Sequence, residues 1–303
     1  MKPVDDGKNQ IRVRKPKWLK KSLPHGPQYG RMKNLISSSH LATVCQEAQC
    51  PNQFECFSKG TATFMILGER CTRNCGFCAV SHQPLYLPDP GEPARVGEAV
   101  AALKLKFAVI TSVTRDDLDD GGASHFVKTI DAIREQAPAT RVEILIPDLQ
   151  GNWDALAAIL AAGPDVLNHN LETVARLYPR VRPDARYRRS LDLLRTAKSI
   201  NPAIPTKSGL MVGLGETVAE LRVAFADLLE HGCDILTVGQ YLQPSRRHLE
   251  VERFVPPGEF EQLEAEARAM GFKGVACAPT VRSSFEAGKL YDTVMSVLEQ
   301  SVV

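Results

Sequence analysis

The chain has 303 residues, 44% of them hydrophobic and 24% charged, a composition that excludes a largely disordered chain and allows a sizeable core. The formal net charge of +2 says little about partners by itself, and the longest apolar run, 155-ALAAILAAG-163, is too short to span a bilayer. The amino-terminal MKPVDDGKNQ lacks the apolar core of a secretory signal, so a reducing cytoplasm is the expected location. There, clustered cysteines serve metal or redox chemistry rather than disulfides.

Between Met1 and Lys33 the chain carries ten Lys or Arg against two acids, Asp5 and Asp6. This basic arm suits an acidic protein or nucleic acid, or else is a solvated terminus. Two groups of three cysteines come next, 45-CQEAQCPNQFEC-56 and 71-CTRNCGFC-78, so six of the eight cysteines fall within 34 residues. From there short apolar runs alternate with longer amphipathic ones. The strand candidates are 62–67, 107–113, 141–147, 165–170, 206–213 and 234–240, each rich in β-branched residues and apolar nearly throughout, as strands buried on both faces are. The helix candidates are 93–106, 122–137, 153–162, 186–200, 216–232 and 256–271. In the fifth, Val218, Leu221, Phe225 and Leu228 keep helical spacing and Gly232 supplies a stop; the sixth opens on prolines and closes on a glycine.

Strand–helix alternation of this kind implies a parallel sheet with right-handed crossovers. Six repeats predict an α/β fold, a partial (β/α)6 barrel of the TIM type with amino- and carboxyl-terminal extensions; a doubly wound open sheet has the same periodicity. The expected organisation is an amino-terminal extension over 1–60, the barrel over 61–255 and a carboxyl-terminal extension over 256–303, forming one catalytic domain. Loops after the strand carboxyl ends build the site in such folds. They are 71-CTRNCGFC-78, 170-NLET-173, 213-GLGE-216 and 240-QYLQPS-245.

A cuboidal 4Fe–4S cluster takes one protein ligand per iron, so three thiolates leave one iron open to an exchangeable ligand. Cys71, Cys75 and Cys78 lie on one tight loop eased by Gly76. Zinc, the alternative occupant, takes four ligands, and the nearest histidine, His82, lies four residues beyond Cys78.

The pattern Cys-x3-Cys-x2-Cys, with Phe77 before the last cysteine, resembles the radical S-adenosylmethionine superfamily. Within it, Cys45-x4-Cys50-x5-Cys56 together with 15-KPKWLK-20, 61-TATFMILGERCTRNCGFC-78, 111-TSVTRDDLDDGG-122, 168-NHNLET-173, 207-KSGLMVGLGET-217, 239-GQYLQPSRRHL-249 and 281-VRSSF-285 resembles the lipoyl synthase family through nearly the whole chain. The resemblance implies a sulfurtransferase that inserts two sulfur atoms, at C6 and C8 of an octanoyl group amide-linked to a carrier lysine. It implies two 4Fe–4S clusters. One, on Cys71, Cys75 and Cys78, chelates S-adenosylmethionine through its open iron. The other, on Cys45, Cys50 and Cys56, donates sulfur and takes a serine of 282-RSSF-285 as its fourth ligand: Ser284, with Ser283 as the close alternative. Phe285 stands where the family has tyrosine. The implied partners are the lipoyl domains of 2-oxoacid dehydrogenases, the glycine-cleavage H protein, and a reduced donor of the ferredoxin or flavodoxin type; no nucleic acid or membrane partner is expected. Rival readings are another sulfur-inserting radical enzyme such as a biotin synthase, and an iron–sulfur or zinc protein without catalysis.

The run 168-NHNLET-173 is similar to a biotin synthase segment, which implies ribose contacts for Asn170 and Glu172; a first-turn acid at a helix dipole is the alternative for Glu172. Gly213 and Gly215 are candidate close-approach points for the cofactor, or simply a strand-to-helix turn. The acidic run 116-DDLDD-120 is expected as a polar loop rather than a hard-cation site. His169 and His248 are expected in satisfied, non-catalytic roles, and Cys233 and Cys277 as buried structural thiols. The arginines at 176, 180, 182, 186, 188 and 189 are either a docking surface for an acidic carrier or a solvated face.

Overall fold

The computed structural model describes residues 15–19, 27–47, 50, 52–58, 62–82 and 85–300; most of the basic arm lies outside them. One sheet holds eight strands in sequential order: β1 (Ala42–Thr43), β2 (Thr63–Ile66), β3 (Phe107–Ser112), β4 (Arg141–Leu145), β5 (Val166–Asn168), β6 (Thr206–Val212), β7 (Ile235–Gln240) and β8 (Gly274–Cys277). β1 runs antiparallel to β2, and β2 through β8 are mutually parallel. Among the described residues no pairing joins β8 back to β1, so the barrel is open.

All six expected strands are present. Every residue of β2 and β7 is buried, as expected for a sheet covered on both faces. β1 and β8 add a strand at each edge, in segments where the sequence predicts only extensions. Each is too short, at 2 and 4 residues, to form an apolar run.

The six expected helices are α4 (Glu92–Ala102), α5 (Ala123–Gln136), α6 (Trp153–Ala161), α8 (Tyr187–Ile200), α9 (Val218–Glu230) and α10 (Pro257–Met270). Their ends obey local chemistry. Thr217 and Glu220 form a reciprocal capping box on α9. α10 has proline in its first turn and stops at Gly271, whose φ of 113° suits only glycine. Further helices are α1 (Pro27–Ser38), α2 (Val44–Glu47), α3 (Gln53–Ser58), α7 (Tyr178–Val181) and α11 (Ala287–Gln300). Tyr29 of α1 packs on Phe57 of α3 with ring centroids 5.9 Å apart.

α11 lies at the strand amino ends. Its Val294 is fully buried with Val166 and Ile235, the first residues of β5 and β7, and Phe107 at the start of β3 packs on Tyr291. The opposite end, where the strands finish, is left to the strand-end loops, the Cys71–Cys78 loop among them. Among the described residues no helix is long and apolar enough to cross a membrane.

Candidate active site at the carboxyl ends of the strands

The loop leaving β2 begins with strain. Leu67 has φ 68°, a left-handed conformation disfavoured for a branched side chain. It is held because its N–H donates to Glu92 Oε2 at 2.7 Å, the same oxygen that meets His125 Nε2 at 2.7 Å. Beyond it the cysteine loop is fastened to three neighbours. Cys71 N–H donates to Ser81 O at 2.9 Å, Thr72 N–H to Thr114 O at 2.9 Å and Gly76 N–H to Val181 O at 3.0 Å. From the far side Leu249 N–H donates to Gly76 O at 2.9 Å, and His248 Nε2 meets Cys78 O at 2.9 Å. A Cβ on Gly76 would come within 2.9 Å of the Leu249 side chain, so glycine is required by packing. His248 thus has the satisfied role expected of it.

Arg73 lies inside the cysteine motif. Its guanidinium forks onto Asp116 at 2.6 and 2.9 Å and reaches Asp148 at 2.6 Å; Arg189 meets the other Asp148 oxygen at 2.9 Å. Burial pushes the Asp148 carboxyl up, but the Arg73 bond and the charges of Arg73, His169 and Arg189 outweigh it and hold it at about 2. The acidic run is the expected polar loop. Asp117 pairs with Arg115 at 2.7 Å, and Asp120 accepts the N–H groups of Gly122 and Ser124 at the start of α5.

Three observations bear on whether the two triads suit iron–sulfur clusters. Cys71 Sγ accepts backbone N–H bonds from Arg73 at 3.4 Å and Thr114 at 3.3 Å, donors that stabilise a thiolate. Burial pushes the thiols of Cys45 and Cys75 up to about 11 and Cys78 up to about 12, a cost that a bound cation would offset. Among the described residues no three His, Cys, Asp or Glu side chains converge as one metal ion requires. Three thiols on one loop, each free for a different iron, are the donor set an iron–sulfur cage takes. The Cys71–Cys78 loop fits the group.

Asn170 and Glu172 lie just past β5. Glu172 has φ 67° and is stitched to β6, its N–H donating to Gly209 O and its carbonyl accepting from Met211, each at 2.8 Å. Burial raises its carboxyl, opposed by the charge of Arg182. Arg182 is buried beneath this turn, donating to Asn170 O at 2.8 Å and to the Tyr178 hydroxyl at 3.2 Å. His169 is a satisfied core residue, its ring bonded to Ile146 O at 2.8 Å and Ser190 Oγ at 2.9 Å. Asn170 Nδ2 donates to Glu172 Oε1 at 3.0 Å and to Ser283 Oγ at 2.8 Å, while its buried Oδ1 has no partner in the structure. An unmet acceptor at a strand end is a place for a ligand hydroxyl.

The loop of the second triad meets the carboxyl-terminal segment. Cys50 N–H donates to Cys45 O at 3.1 Å, and Cys56 N–H to Asn52 O at 2.9 Å. Asn52, 1% exposed, donates from Nδ2 to Thr280 O at 2.5 Å. Arg282 feels the charges of both Cys50 and Glu172, and burial is the main cause lowering its affinity for its proton. Phe285 N–H donates to Arg282 O at 2.9 Å, closing a turn with Ser283 and Ser284 at its centre. Phe77 packs half-buried against the core.

Gly213 has φ 96°, and a Cβ there would lie 2.2 Å from Gln240 Nε2; Gly215 has φ 104°. Both thus serve the strand-to-helix turn after β6, and Gly213 faces protein rather than open space. Cys233 and Cys277 are buried at 3% and 7% exposure, as expected of structural thiols. Of the six arginines, Arg176 pairs with Glu220, Arg180 with Glu252, Arg188 with Asp192 and Arg189 with Asp148, and Arg182 is buried. Arg176, Arg180, Arg186 and Arg188 are exposed, so the segment presents a basic face to solvent while Arg182 and Arg189 brace the interior.

Comparisons with known proteins agree with this geometry. The Radical SAM superfamily profile matches residues 65–228, and the profile of the N-terminal domain of lipoyl synthase matches residues 3–50. The lipoyl synthase of Desulfotalea psychrophila is 61% identical over 93% of this chain and 94% of its own length. That of Thiobacillus denitrificans is 56% identical over 92% of this chain and 90% of its own. Among solved structures, the FeFe-hydrogenase maturase HydG superposes with a TM-score of 0.60 at 17% identity, over 78% of this chain and 54% of that one. Methylornithine synthase does so with a TM-score of 0.50 at 15% identity, over 76% of this chain and 64% of that one. These distant likenesses establish the partial barrel, and the close ones the family. With these matches over nearly its whole length, and with the Cys71–Cys78 loop at the carboxyl end of β2, the chain belongs to the lipoyl synthase family of the radical S-adenosylmethionine superfamily.

Proposed function

We propose that this mouth holds two 4Fe–4S clusters side by side, one for radical generation and one as sulfur source. The chain is a sulfur-inserting radical S-adenosylmethionine enzyme that converts a protein-bound octanoyl group to the lipoyl group, with a 4Fe–4S cluster, S-adenosylmethionine and a reductant. Cys71, Cys75 and Cys78 hold the first cluster; Cys45, Cys50, Cys56 and Ser284 hold the second. When bound, the first cluster would supply reductive cleavage of S-adenosylmethionine, one equivalent for each hydrogen removed at C6 and C8, and the second would supply the sulfur. Those carbons carry no acidic proton, so no side-chain base can activate them.

The protein's own part is placement. Asn170 and Glu172 receive the ribose hydroxyls, the amide oxygen and the carboxylate both acting as acceptors. Arg182 keeps that turn in place from below. Arg73 fixes the cysteine loop through its guanidinium on Asp116 and Asp148, while its backbone N–H meets Cys71 Sγ. The domain organisation serves the same end: residues 1–60 and 256–303 bring the second ligand set over the mouth built by 61–255.

The carriers are the lipoyl domains of 2-oxoacid dehydrogenases and the glycine-cleavage H protein, the donor is a ferredoxin or flavodoxin, and the location is the cytoplasm. The observation that supports this most is the Asn52–Thr280 bond at 2.5 Å, which sets the second triad's loop against the segment bearing Ser284. The test is anaerobic reconstitution with iron and sulfide, then reduction with S-adenosylmethionine and an octanoylated peptide. The reading expects 5′-deoxyadenosine and a product in which two sulfurs replace two hydrogens. Cleavage of S-adenosylmethionine without sulfur incorporation by the fully loaded protein would overturn the donor role of the second cluster.

A further inference from the structure

The segment between β8 and α11 is tied to both halves of the site. Upstream, Thr280 O accepts from Asn52, between Cys50 and Cys56. Three residues later, Ser283 Oγ accepts from Asn170 Nδ2 at 2.8 Å. Ser283 and Ser284 are the two central residues of the turn that Phe285 N–H closes onto Arg282 O at 2.9 Å. A constraint on one hydroxyl is therefore felt by the other.

The Asn170 amide has two N–H groups, and both are used: one on Glu172 Oε1 at 3.0 Å and one on Ser283. A Cβ on Gly209 would lie 2.8 Å from Asn170 Oδ1, so the amide is packed against the β6 backbone as well. What stays open is Oδ1, buried and without a partner in the structure. The direction in which that oxygen points is fixed by the two donors on the other side of the amide, and Ser283 is one of the two acceptors.

We infer that Ser283 is a positioning residue that couples loading of the auxiliary cluster to binding of S-adenosylmethionine. The inference rests on the reading that Ser284 is the auxiliary ligand and that Asn170 meets the ribose. Coordination through Ser284 immobilises the turn, the fixed Ser283 hydroxyl orients Asn170, and Oδ1 is presented for the ribose. Without the auxiliary cluster the turn keeps only its contacts within the protein, the Asn52–Thr280 and Asn170–Ser283 bonds among them. The coupling is reciprocal, so S-adenosylmethionine in turn steadies the serine ligand.

The test measures equilibrium binding of S-adenosylmethionine to the full chain, without turnover. It compares the wild type carrying both clusters with Cys50→Ala carrying only the radical cluster, and repeats the pair with Ser283→Ala and with Ser283→Thr. The loaded wild type should bind about fivefold more tightly than Cys50→Ala, the scale of one hydrogen bond. With Ser283→Ala the two forms should bind equally, and Ser283→Thr, which keeps the hydroxyl, should restore most of the difference. Ser283→Ala should still hold iron for two clusters. An undiminished ratio in Ser283→Ala, a ratio of one in the wild type, or loss of a cluster from Ser283→Ala would each overturn the coupling. Absence of S-adenosylmethionine binding from every form, or two clusters in Cys50→Ala, would instead overturn the reading beneath it, and the inference with it.

Discussion

Arg73 and Asp148 stand 75 residues apart in the chain and meet at 2.6 Å, with the carboxylate fully buried. The pair pins the cysteine loop to the end of β4, and its strength is readable from pH. The folded carboxyl titrates at about 2 against an ordinary value of 3.8, so the pair's contribution is fully present above about pH 4 and is lost as pH falls toward 2. The contribution is about 2 kcal/mol. Arg73→Ala should cost about 3 kcal/mol, because Arg189 alone is left to compensate a buried charge. It should also flatten the pH dependence of the urea midpoint in that window; an unchanged slope would show that Asp148 draws its stabilisation elsewhere.

Glu92 is buried at 6% exposure and serves two groups with one oxygen, the N–H of left-handed Leu67 and the His125 ring. Glu92→Ala leaves both without a partner and should lower stability by about 2 kcal/mol, whereas Glu92→Gln keeps an acceptor and should cost less. Released from its strain, Leu67 shifts the root of the cysteine loop. Formation of 5′-deoxyadenosine should therefore slow in Glu92→Ala even when iron content is normal. Equal denaturation midpoints for the two variants would contradict this account.

The triads should separate cleanly in iron analysis. Cys75→Ala should keep the iron of one cluster and lose cleavage of S-adenosylmethionine. Cys50→Ala should likewise keep one cluster's iron but retain cleavage, releasing 5′-deoxyadenosine without lipoyl product. If both variants lost both activities and all iron, the two sites would be one.

Cys277 ends β8 with its N–H donating to Glu264 Oε2 at 3.2 Å, and burial pushes its thiol up to about 12. Cys277→Ser should leave iron for two clusters untouched and cost about 1 to 2 kcal/mol for burying a hydroxyl in place of sulfur. Loss of one cluster from this variant would move the fourth auxiliary ligand from Ser284 to Cys277.

Much of the architecture is legible because a parallel sheet buried on both faces writes itself as continuous apolar runs, as in 107-FAVITS-112 and 235-ILTVGQ-240. β8 escapes because 274-GVAC-277 is four residues containing a glycine. The signal for α11 is present in Leu290, Val294 and Leu298, spaced by four, within a segment expected only as an extension. The thiols are legible from spacing alone. Their supports are not: Arg73 with Asp148, Leu67 with Glu92 and Asn52 with Thr280 are separated by 75, 25 and 228 residues, and only the closed fold brings them together. Arg182 is visible as one charge among six, and nothing in a run of arginines distinguishes the buried one from its paired neighbours.

The Asn52–Thr280 bond spans 228 positions, and that separation sets an order of assembly. During translation the Cys71–Cys78 loop can meet its strand and its arginine clamp while the last third of the polypeptide is still to be made, and His248 and Leu249 fasten it only afterwards. On the ligand set proposed above, the place between Cys50 and Ser284 is complete only after the ribosome has delivered Thr280 and the two serines beyond it. On that reading a nascent chain stalled earlier would offer a seat for the radical-generating cage and none for the sulfur source.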